Sequence, residues 1–178
     1  MKNIVLLVAV IAVTGLAAAC QPSQPAADPR LAALADRQAI DQLVAGDYPR
    51  ALDARNWDAY AATYTEDGEL ALLGQTSKGR AAIKSFLAAQ PAGARVIHVI
   101  SNLSYSISGD TATGGAYWQD IGVVNGGPGV VVAGHYDDSL RKVNGAWKFA
   151  TRSIVIDFPP AGGLPAPAAA PAGARGKP

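Results

Sequence analysis

Apolar residues recur every three to four positions in the first half of the chain, which is the period of an amphipathic helix. Tyr48 lies at the edge of this stripe and Pro49 lies within it. Because proline lacks a backbone N–H and its ring displaces the preceding turn, we expect the helix to bend there. The stripe consists of Ile40, Leu43, Val44, Ala51 and Leu52.

Two shorter helices are predicted to follow. Asn56 is a suitable N-cap for the first of them, and a short strand fits residues 69–73. Ser77 is placed to cap the second, which ends before Pro91. The positions expected to face inward are Trp57, Tyr60, Ala61 and Tyr64 in the first helix, and Ala82, Ile83, Phe86 and Leu87 in the second.

The second half of the chain changes to the alternating period of β-strands. Four segments show it: RVIHVISNLSYSIS, TATGGAYWQDIGVV, GVVVAGHYDDSLRKV and AWKFATRSIVID. Asn144-Gly145 predicts a two-residue type I′ hairpin turn, and NGGPG at residues 125–129 predicts a longer hairpin loop. Three helices followed by long antiparallel strands predict an α+β fold. A curved antiparallel sheet wrapped against the helices would enclose a pocket.

The two ends of the chain differ from its centre. An apolar run at residues 4–19 follows Lys2 and ends in GLAAAC at the only cysteine, Cys20. The run is short for a membrane span of about 20 residues and is typical of a signal peptide. It resembles a bacterial lipoprotein signal, in which the cysteine is lipidated. The alternative is cleavage after Ala19 with release of a soluble periplasmic or secreted protein. Both predict export to the cell envelope or beyond.

Composition then predicts four segments. Residues 1–19 form the signal peptide, and residues 20–33 comprise the lipidated cysteine and a flexible Pro/Ala/Gln-rich tether. Residues 34–158 have the size of a single domain. Residues 159–178 are a Pro/Ala-rich tail that we expect to be disordered.

The charge balance gives no reason to expect a polyanionic partner. The chain has 15 Lys and Arg residues against 14 Asp and Glu residues, a net charge of +1. Removal of residues 1–19 deletes a single charged residue, Lys2. Such a neutral chain argues against nucleic acid as a partner. The single cysteine excludes a disulfide within the chain.

Strand alternation places two ionisable residues on mostly apolar strand faces. His98 shares a face with Val96, Ile100 and Asn102, and Asp120 shares one with Ala116 and Trp118. The pattern alone favours a packed core or surface histidine over a functional one at His98. Tyr48 and Asp53 are separated by about 140° around a straight helix. The helical wheel therefore favours a surface or capping role for Asp53.

Other chemical candidates are weaker. His135 and Asp137 share one strand face while Asp138 points to the other, so no three-ligand metal site is expected. Trp57, Tyr60 and Tyr64 fit a core stripe.

The order of the motifs resembles the SnoaL-like branch of the nuclear-transport-factor-two-like superfamily. AIDQLVAGDYPRALDARNWDAYAATYTEDGEL resembles its first two helices, GRAAI its third helix, HVISN its first long strand and GHYDDSLRKVNGAWKFATR its closing hairpin. The resemblance covers residues 35–157. It implies a cone-shaped α+β fold of three helices on a curved antiparallel sheet that encloses a pocket. Members of this fold include dehydratases, isomerases, cyclases and binding proteins.

A closer resemblance is to bile-acid dehydratases, scytalone dehydratases and their relatives, which carry a tyrosine, an aspartate, a histidine and a second aspartate around the pocket. Tyr48, Asp53, His98 and Asp120 match these positions. The resemblance implies that Asp53 points into the cone and that these four residues are catalytic. We also predict that Trp57, Asn102, Trp118 and Tyr136 bind the substrate.

Two classes of function remain open at this stage. The first is a cofactor-independent lyase or isomerase that acts on a small apolar hydroxy-carbonyl compound by acid–base chemistry. It needs no metal or organic cofactor. The alternative is a non-catalytic lipoprotein that binds a small apolar ligand or a partner protein. A structural lipoprotein that dimerises through its outer sheet face is a third, weaker hypothesis. We expect a homodimer and membrane contact through the lipid anchor only.

Overall fold

The structure is a computed structural model that describes residues 28–90, 95–124 and 126–160. The predicted signal peptide, Cys20, the first part of the tether and the tail after Pro160 lie outside the described residues. The elements are α1 (Pro29–Gln42), a π-helical segment (Leu43–Asp47), α2 (Tyr48–Asp53), α3 (Trp57–Ala62), β1 (Tyr64–Leu72), β2 (Gln75–Lys78), α4 (Arg80–Ala88), β3 (Ile97–Ser108), β4 (Thr111–Val124), β5 (Gly127–Val143) and β6 (Ala146–Phe158).

The first helix begins earlier than the pattern predicts and contains a π-helical segment before Pro49. Asp28 caps α1, with its side chain accepting from the backbone N–H of Arg30, so the helix starts within the predicted tether. The N–H of Tyr48 bonds to the carbonyl of Leu43, five residues back. In an uninterrupted α-helix the Pro49 ring would clash with a carbonyl four residues earlier, and the wider π turn accommodates it.

Two helix assignments are wrong in detail. Tyr64 was expected on the face of a helix, but it begins strand β1, which is longer than the predicted short strand. Ser77 was expected to cap α4, but it lies in strand β2. Gly79 takes the N-cap position with φ of 81°, a conformation that glycine adopts at low cost. The strands β1 and β2 therefore separate α3 from α4.

A six-stranded curved sheet in the order β2-β1-β6-β5-β4-β3 forms the other layer. All neighbours are antiparallel except β1 and β6, which pair in parallel, so the predicted antiparallel sheet is in fact mixed. Asn144 and Gly145 have φ of 50° and 80°, as a type I′ turn requires, so that predicted turn is confirmed. Residues 127–129 belong to β5 rather than to a long loop. The α+β fold class is confirmed.

A bulge in β3 changes which residues face the helices. The pairing with β4 shifts between Ser101 and Ser104, and Asn102 has φ of 53°. His98 and Ile100 face inward before the bulge, and Tyr105 is buried after it. A single alternating face therefore cannot continue from His98 through Asn102.

The buried core lies between the helices and the concave face of the sheet. Its largest fully buried side chains include Tyr48, Tyr60, Tyr64, Phe149 and Arg152. A dense aromatic layer thus fills the closed end of the cone. Within the described residues, no helix combines the length and the apolar character needed to span a membrane.

Candidate active site

His98 and Asp53 form a hydrogen-bonded pair at the junction of α2 and β3. Oδ1 of Asp53 lies 2.6 Å from Nδ1 of His98 and also accepts from the His98 backbone N–H at 3.3 Å. The side chain of His98 is 15% exposed and that of Asp53 is 29% exposed. A carboxylate at Nδ1 favours the tautomer in which Nδ1 carries the proton, which leaves the Nε2 lone pair free.

Asp120 approaches the other nitrogen of the same imidazole. Its Oδ1 lies 3.1 Å from Nε2 of His98, but the approach is too oblique for a hydrogen bond. This oxygen is buried and accepts no hydrogen bond from any described residue. Burial raises the pKa of the Asp120 carboxyl, His98 opposes the rise, and the charge of Asp53 adds to it. The histidine therefore sits between one well-placed carboxylate and one that lacks a partner.

Tyr48 brings a hydroxyl group from the helical layer to the same region. It is fully buried, and its Oη accepts a hydrogen bond of 3.0 Å from the hydroxyl of Tyr60. The Tyr60 hydroxyl lies 3.4 Å from that of Tyr64. Burial raises the pKa of Tyr60, so it stays a donor at neutral pH. Because Tyr60 donates to Tyr48, the hydrogen of the Tyr48 hydroxyl is left for another acceptor.

These groups meet at a cavity of about 260 Å³ between the helices and the sheet. Tyr48, Tyr60, His98 and Asp120 supply its polar groups. Its remaining walls are mostly apolar and include Leu52, Leu72, Leu87, Val132, Ile154 and Ile156. A mostly apolar, partly open recess with a few convergent polar groups is the usual form of a small-molecule site.

Trp118 and Tyr136 form an aromatic wall of the cavity. Their rings are stacked with centroids 5.9 Å apart and an interplanar angle of 16°. Tyr136 also meets the ring of Tyr48 edge-to-face at 5.7 Å. The indole N–H of Trp118 donates to the carbonyl of His135 at 3.2 Å, which fixes its orientation. Both residues thus lie where a ligand would contact them.

Trp57 and Asn102, expected to bind substrate, do not line this cavity. Trp57 packs edge-to-face against Tyr60, and the guanidinium of Arg55 lies 5.1 Å from the centre of its ring. Asn102 is exposed in the β3 bulge and borders a depression near Tyr117. The bulge turns Asn102 away from the face that His98 occupies.

A buried ion pair behind the cavity was not anticipated from the sequence. Arg152 donates to Asp138 through Nε at 2.8 Å and Nη2 at 2.7 Å, and Tyr105 donates to the same carboxylate at 2.5 Å. The Arg152 guanidinium lies 4.1 Å from the ring centre of Tyr48 and 3.8 Å from that of Tyr136. Burial opposes its charge, but Asp138 holds the pKa of Arg152 above its normal value. The signal was the inward position of Asp138 in β5, which requires a buried cation nearby.

A second histidine pair lies apart from the cavity. His135 Nδ1 is 2.7 Å from Asp157 Oδ2 on the outer side of the sheet, and His135 Nε2 is 3.8 Å from Asp137. In the portion of the chain that the structure describes, no three His, Cys, Asp or Glu side chains are arranged to hold a metal ion.

Comparison with known structures supports the fold assignment. The chain is similar to a nuclear-transport-factor-two-like protein with a cystatin-like fold from Novosphingobium aromaticivorans, at 28% identity and a TM-score of 0.66, covering 72% of this chain and 86% of that one. It is similar to a scytalone-dehydratase-like protein from the same organism at 26% identity and a TM-score of 0.63, covering 72% and 89%. It is also similar to LinA at 26% identity and a TM-score of 0.63, covering 79% and 100%.

Sequence comparison identifies the family directly. No curated protein sequence matches this chain. The profile of the SnoaL-like domain, however, matches residues 32–153, which is more than half of the chain and spans every element from α1 to the middle of β6. The chain therefore belongs to the SnoaL-like domain family.

Proposed function

We propose that this protein is a cofactor-independent lyase or isomerase that acts on a small apolar hydroxy-carbonyl compound. The observation that carries the proposal is the position of His98, held by Asp53 at one nitrogen and facing Asp120 at the other, on an apolar cavity. A histidine with a fixed tautomer and a free lone pair is suited to proton transfer near neutral pH.

The first step is removal of a proton from the carbon next to the carbonyl. Nε2 of His98 takes the proton, and the electron pair of the C–H bond moves to the carbonyl oxygen. Asp53 stabilises the imidazolium that forms, because its carboxylate contacts Nδ1. Tyr48 donates its hydroxyl hydrogen to the oxygen on which negative charge develops.

The second step returns the proton from His98. In a dehydration the imidazolium protonates the departing hydroxyl group, which leaves as water while the electron pair forms a carbon–carbon double bond. In an isomerisation the same proton is placed on a different carbon. Asp120 accepts a hydrogen bond from the substrate hydroxyl or shares the proton with His98, because its Oδ1 faces Nε2 and has no other partner. Each step balances without an external oxidant or reductant.

Similarity to other proteins supports the same class of reaction. One similar structure is described as a scytalone dehydratase type of protein. The proposal for this chain depends on its own residues, since the fold itself serves several functions.

The test uses β-hydroxy ketones in heavy water. Purified protein is incubated with 3-hydroxycyclohexanone and bicyclic analogues, and deuterium uptake beside the carbonyl and formation of the enone are followed by NMR and ultraviolet absorbance. We expect His98→Ala to reduce the rate by about 10²–10⁴-fold. His135→Gln is the matched control because His135 lies on the outer side of the sheet. Activity that survived His98→Ala combined with Asp53→Asn would overturn the proposal.

The same compounds distinguish the non-catalytic alternative from an enzyme. Its support is the apolar cavity itself, which can hold a ligand without chemistry. If the compounds bind but no proton exchange or water loss occurs, the protein is a binding module.

We also propose export with a lipid anchor at Cys20. The support is the apolar run that ends at this single cysteine. Metabolic labelling with a radioactive or clickable fatty acid in a bacterial host should label the full chain and not Cys20→Ser. Equal labelling of both would contradict the anchor, whereas release of unlabelled protein would favour the soluble exported form.

We propose further that a second copy of the chain packs on the outer face of the sheet. Tyr117 is 56% exposed and stands between two depressions next to Gly115 and Gly134. At both glycines a Cβ would collide with a backbone oxygen of the neighbouring strand, so neither position can carry a side chain without a shift of the backbone. Tyr117 of each copy would fit the depression of the other in a two-fold arrangement. Light scattering should show a dimer that Tyr117→Lys dissociates, and a wild-type monomer at micromolar concentration would contradict it.

A further inference from the structure

We infer that the cavity takes an uncharged ligand of one or two rings and discriminates against carboxylates. The inference rests on the proposed function, because that function sets how the substrate is oriented in the cavity. The expected size and charge of the ligand follow from the cavity itself.

The charged groups at the cavity are all acidic. Two carboxyl groups, those of Asp53 and Asp120, flank the single imidazole of His98, so the acidic side chains here outnumber the basic one. None of the described side chains that line the cavity is a lysine or an arginine. A carboxylate ligand would therefore lose its hydration without gaining a cationic partner, next to an existing negative charge.

Arg152 does not change this conclusion, although its guanidinium lies close behind the cavity wall. The rings of Tyr48 and Tyr136 stand on it at 4.1 and 3.8 Å. Both of its hydrogen-bonded nitrogens are directed to Asp138, and the two side chains are fully buried. The cation is thus neutralised within the core and is absent from the cavity lining.

An ammonium or amidinium ligand is also disfavoured. Such an ion would meet the Asp120 carboxylate, but most of the surrounding wall is apolar and cannot replace the water that the ion loses. A neutral ligand avoids this cost. Its hydroxyl group can donate to the unpartnered Oδ1 of Asp120, and its carbonyl can accept from Tyr48.

The volume limits the ligand to a compact compound. The cavity has a volume of about 260 Å³ and is partly open to solvent. It lies below the range of about 300–1,000 Å³ that is usual for drug-sized ligands. A four-ring steroid skeleton exceeds it, whereas one ring or a compact pair of rings fits. The stacked walls of Trp118 and Tyr136 suit a flat ring.

The test uses three probes that share one shape and differ in charge. At neutral pH 4-hydroxybenzamide is uncharged, 4-hydroxybenzoate is an anion and 4-hydroxybenzamidine is a cation, and each has a single ring. Binding is followed by NMR at the His98 imidazole, assigned with His135→Gln. We expect the uncharged probe to bind at least about tenfold more tightly than either ion. The inference is overturned if 4-hydroxybenzoate or 4-hydroxybenzamidine binds as tightly as 4-hydroxybenzamide, or if none of the three probes binds.

A charge placed in the cavity provides a gain-of-binding test. Ile156 lines the cavity, so Ile156→Arg should raise the affinity for 4-hydroxybenzoate at least about tenfold and lower that for 4-hydroxybenzamide. The control Ile156→Met introduces an unbranched but uncharged side chain and should change the affinity for neither probe. Leu73→Arg, at a partly exposed turn, supplies a second position if Ile156→Arg fails to fold. Unchanged selectivity in a folded arginine variant would contradict the inference.

Size is tested with a four-ring hydroxy ketone, which should bind at least about tenfold more weakly than a two-ring analogue. Equal affinity would overturn the size limit. These binding results do not depend on turnover. If the uncharged probes bind while β-hydroxy ketones show no proton exchange, the proposed function fails and the inference stands. If proton exchange occurs and carboxylates bind as tightly as the uncharged probes, the inference fails and the proposed function stands.

Discussion

Asp53 and His98 are 45 residues apart in the chain, and their side chains meet at 2.6 Å between Oδ1 and Nδ1. The helix α2 ends at Asp53 and the strand β3 begins one residue before His98, so the pair joins the two layers of the cone. Asp53 is not among the residues that line the cavity. In the proposed mechanism it therefore orients the imidazole from behind.

Asp53→Asn should abolish most of the proposed activity while the protein stays folded. An asparagine can donate to Nδ1, which would favour the tautomer with its proton on Nε2 and remove the base from the cavity. We expect kcat to fall by about 10²–10⁴-fold. The imidazole nitrogen shifts of His98 should report the change of tautomer. Asp58→Asn, at an exposed carboxylate paired with Lys84, is the control and should retain full activity.

Tyr48→Phe should reduce kcat more than it affects stability. The ring contacts with Tyr60 and Phe149 remain, whereas the hydroxyl that would donate to the substrate, and that accepts from Tyr60, is lost. Loss of one donor to a developing oxyanion typically costs about 10²–10³-fold in kcat. Tyr64→Phe removes a buried hydroxyl that does not line the cavity, and its kcat should stay close to wild type. Equal effects of the two variants in steady-state kinetics would contradict the role given to Tyr48.

Asp120→Asn should stabilise the protein at neutral pH. Burial raises the pKa of Asp120 in the folded state above its ordinary value of 3.8. The folded protein therefore binds this proton more tightly than the unfolded chain does. The free energy of unfolding of the wild type consequently falls as pH rises from below 3.8 through the raised pKa, and stays lower above it.

The comparison requires urea unfolding of both proteins across this pH range. The asparagine variant should be more stable by more than about 0.5 kcal/mol at pH 7, which exceeds the usual effect of a surface substitution. The difference should vanish well below 3.8. Asp110→Asn, at a side chain that is 78% exposed, should remain within about 0.5 kcal/mol throughout. A variant that is less stable than wild type at neutral pH would contradict the burial argument.

Arg152→Met should destabilise the fold by about 3–5 kcal/mol, because it leaves the Asp138 carboxylate buried without its cation. Removing the whole cluster should cost much less, since apolar side chains of similar volume can replace a buried ion pair. The triple variant Arg152→Met, Asp138→Leu, Tyr105→Phe tests this by chemical denaturation. A triple variant no more stable than the single one would contradict the explanation.

The local pattern of the sequence was sufficient to predict most elements of the fold. Helical and strand periods depend on neighbouring residues, so α1, β3 to β6 and the Asn144-Gly145 turn followed from it. Tyr64 was misassigned because its strand β1 pairs in parallel with β6, whose residues are about 80 positions away. Ser77 was misassigned because its strand β2 forms by pairing with β1, with Ser77 opposite Leu70. No local period reports such a partner.

For the candidate site, too, the sequence predicted one part and the tertiary structure decided the other. Sequence resemblance predicted Tyr48, Asp53, His98 and Asp120 as candidates, and alternation placed Asp138 on the face of β5 opposite to His135 and Asp137. Only the tertiary structure decided that Asp53 reaches His98, because the helical wheel measures angles around one helix and not the gap to a strand. It likewise decided that Asn102 turns away and that Arg152 pairs with Asp138. A bulge and a buried ion pair depend on strand register and packing, which the order of residues alone does not contain.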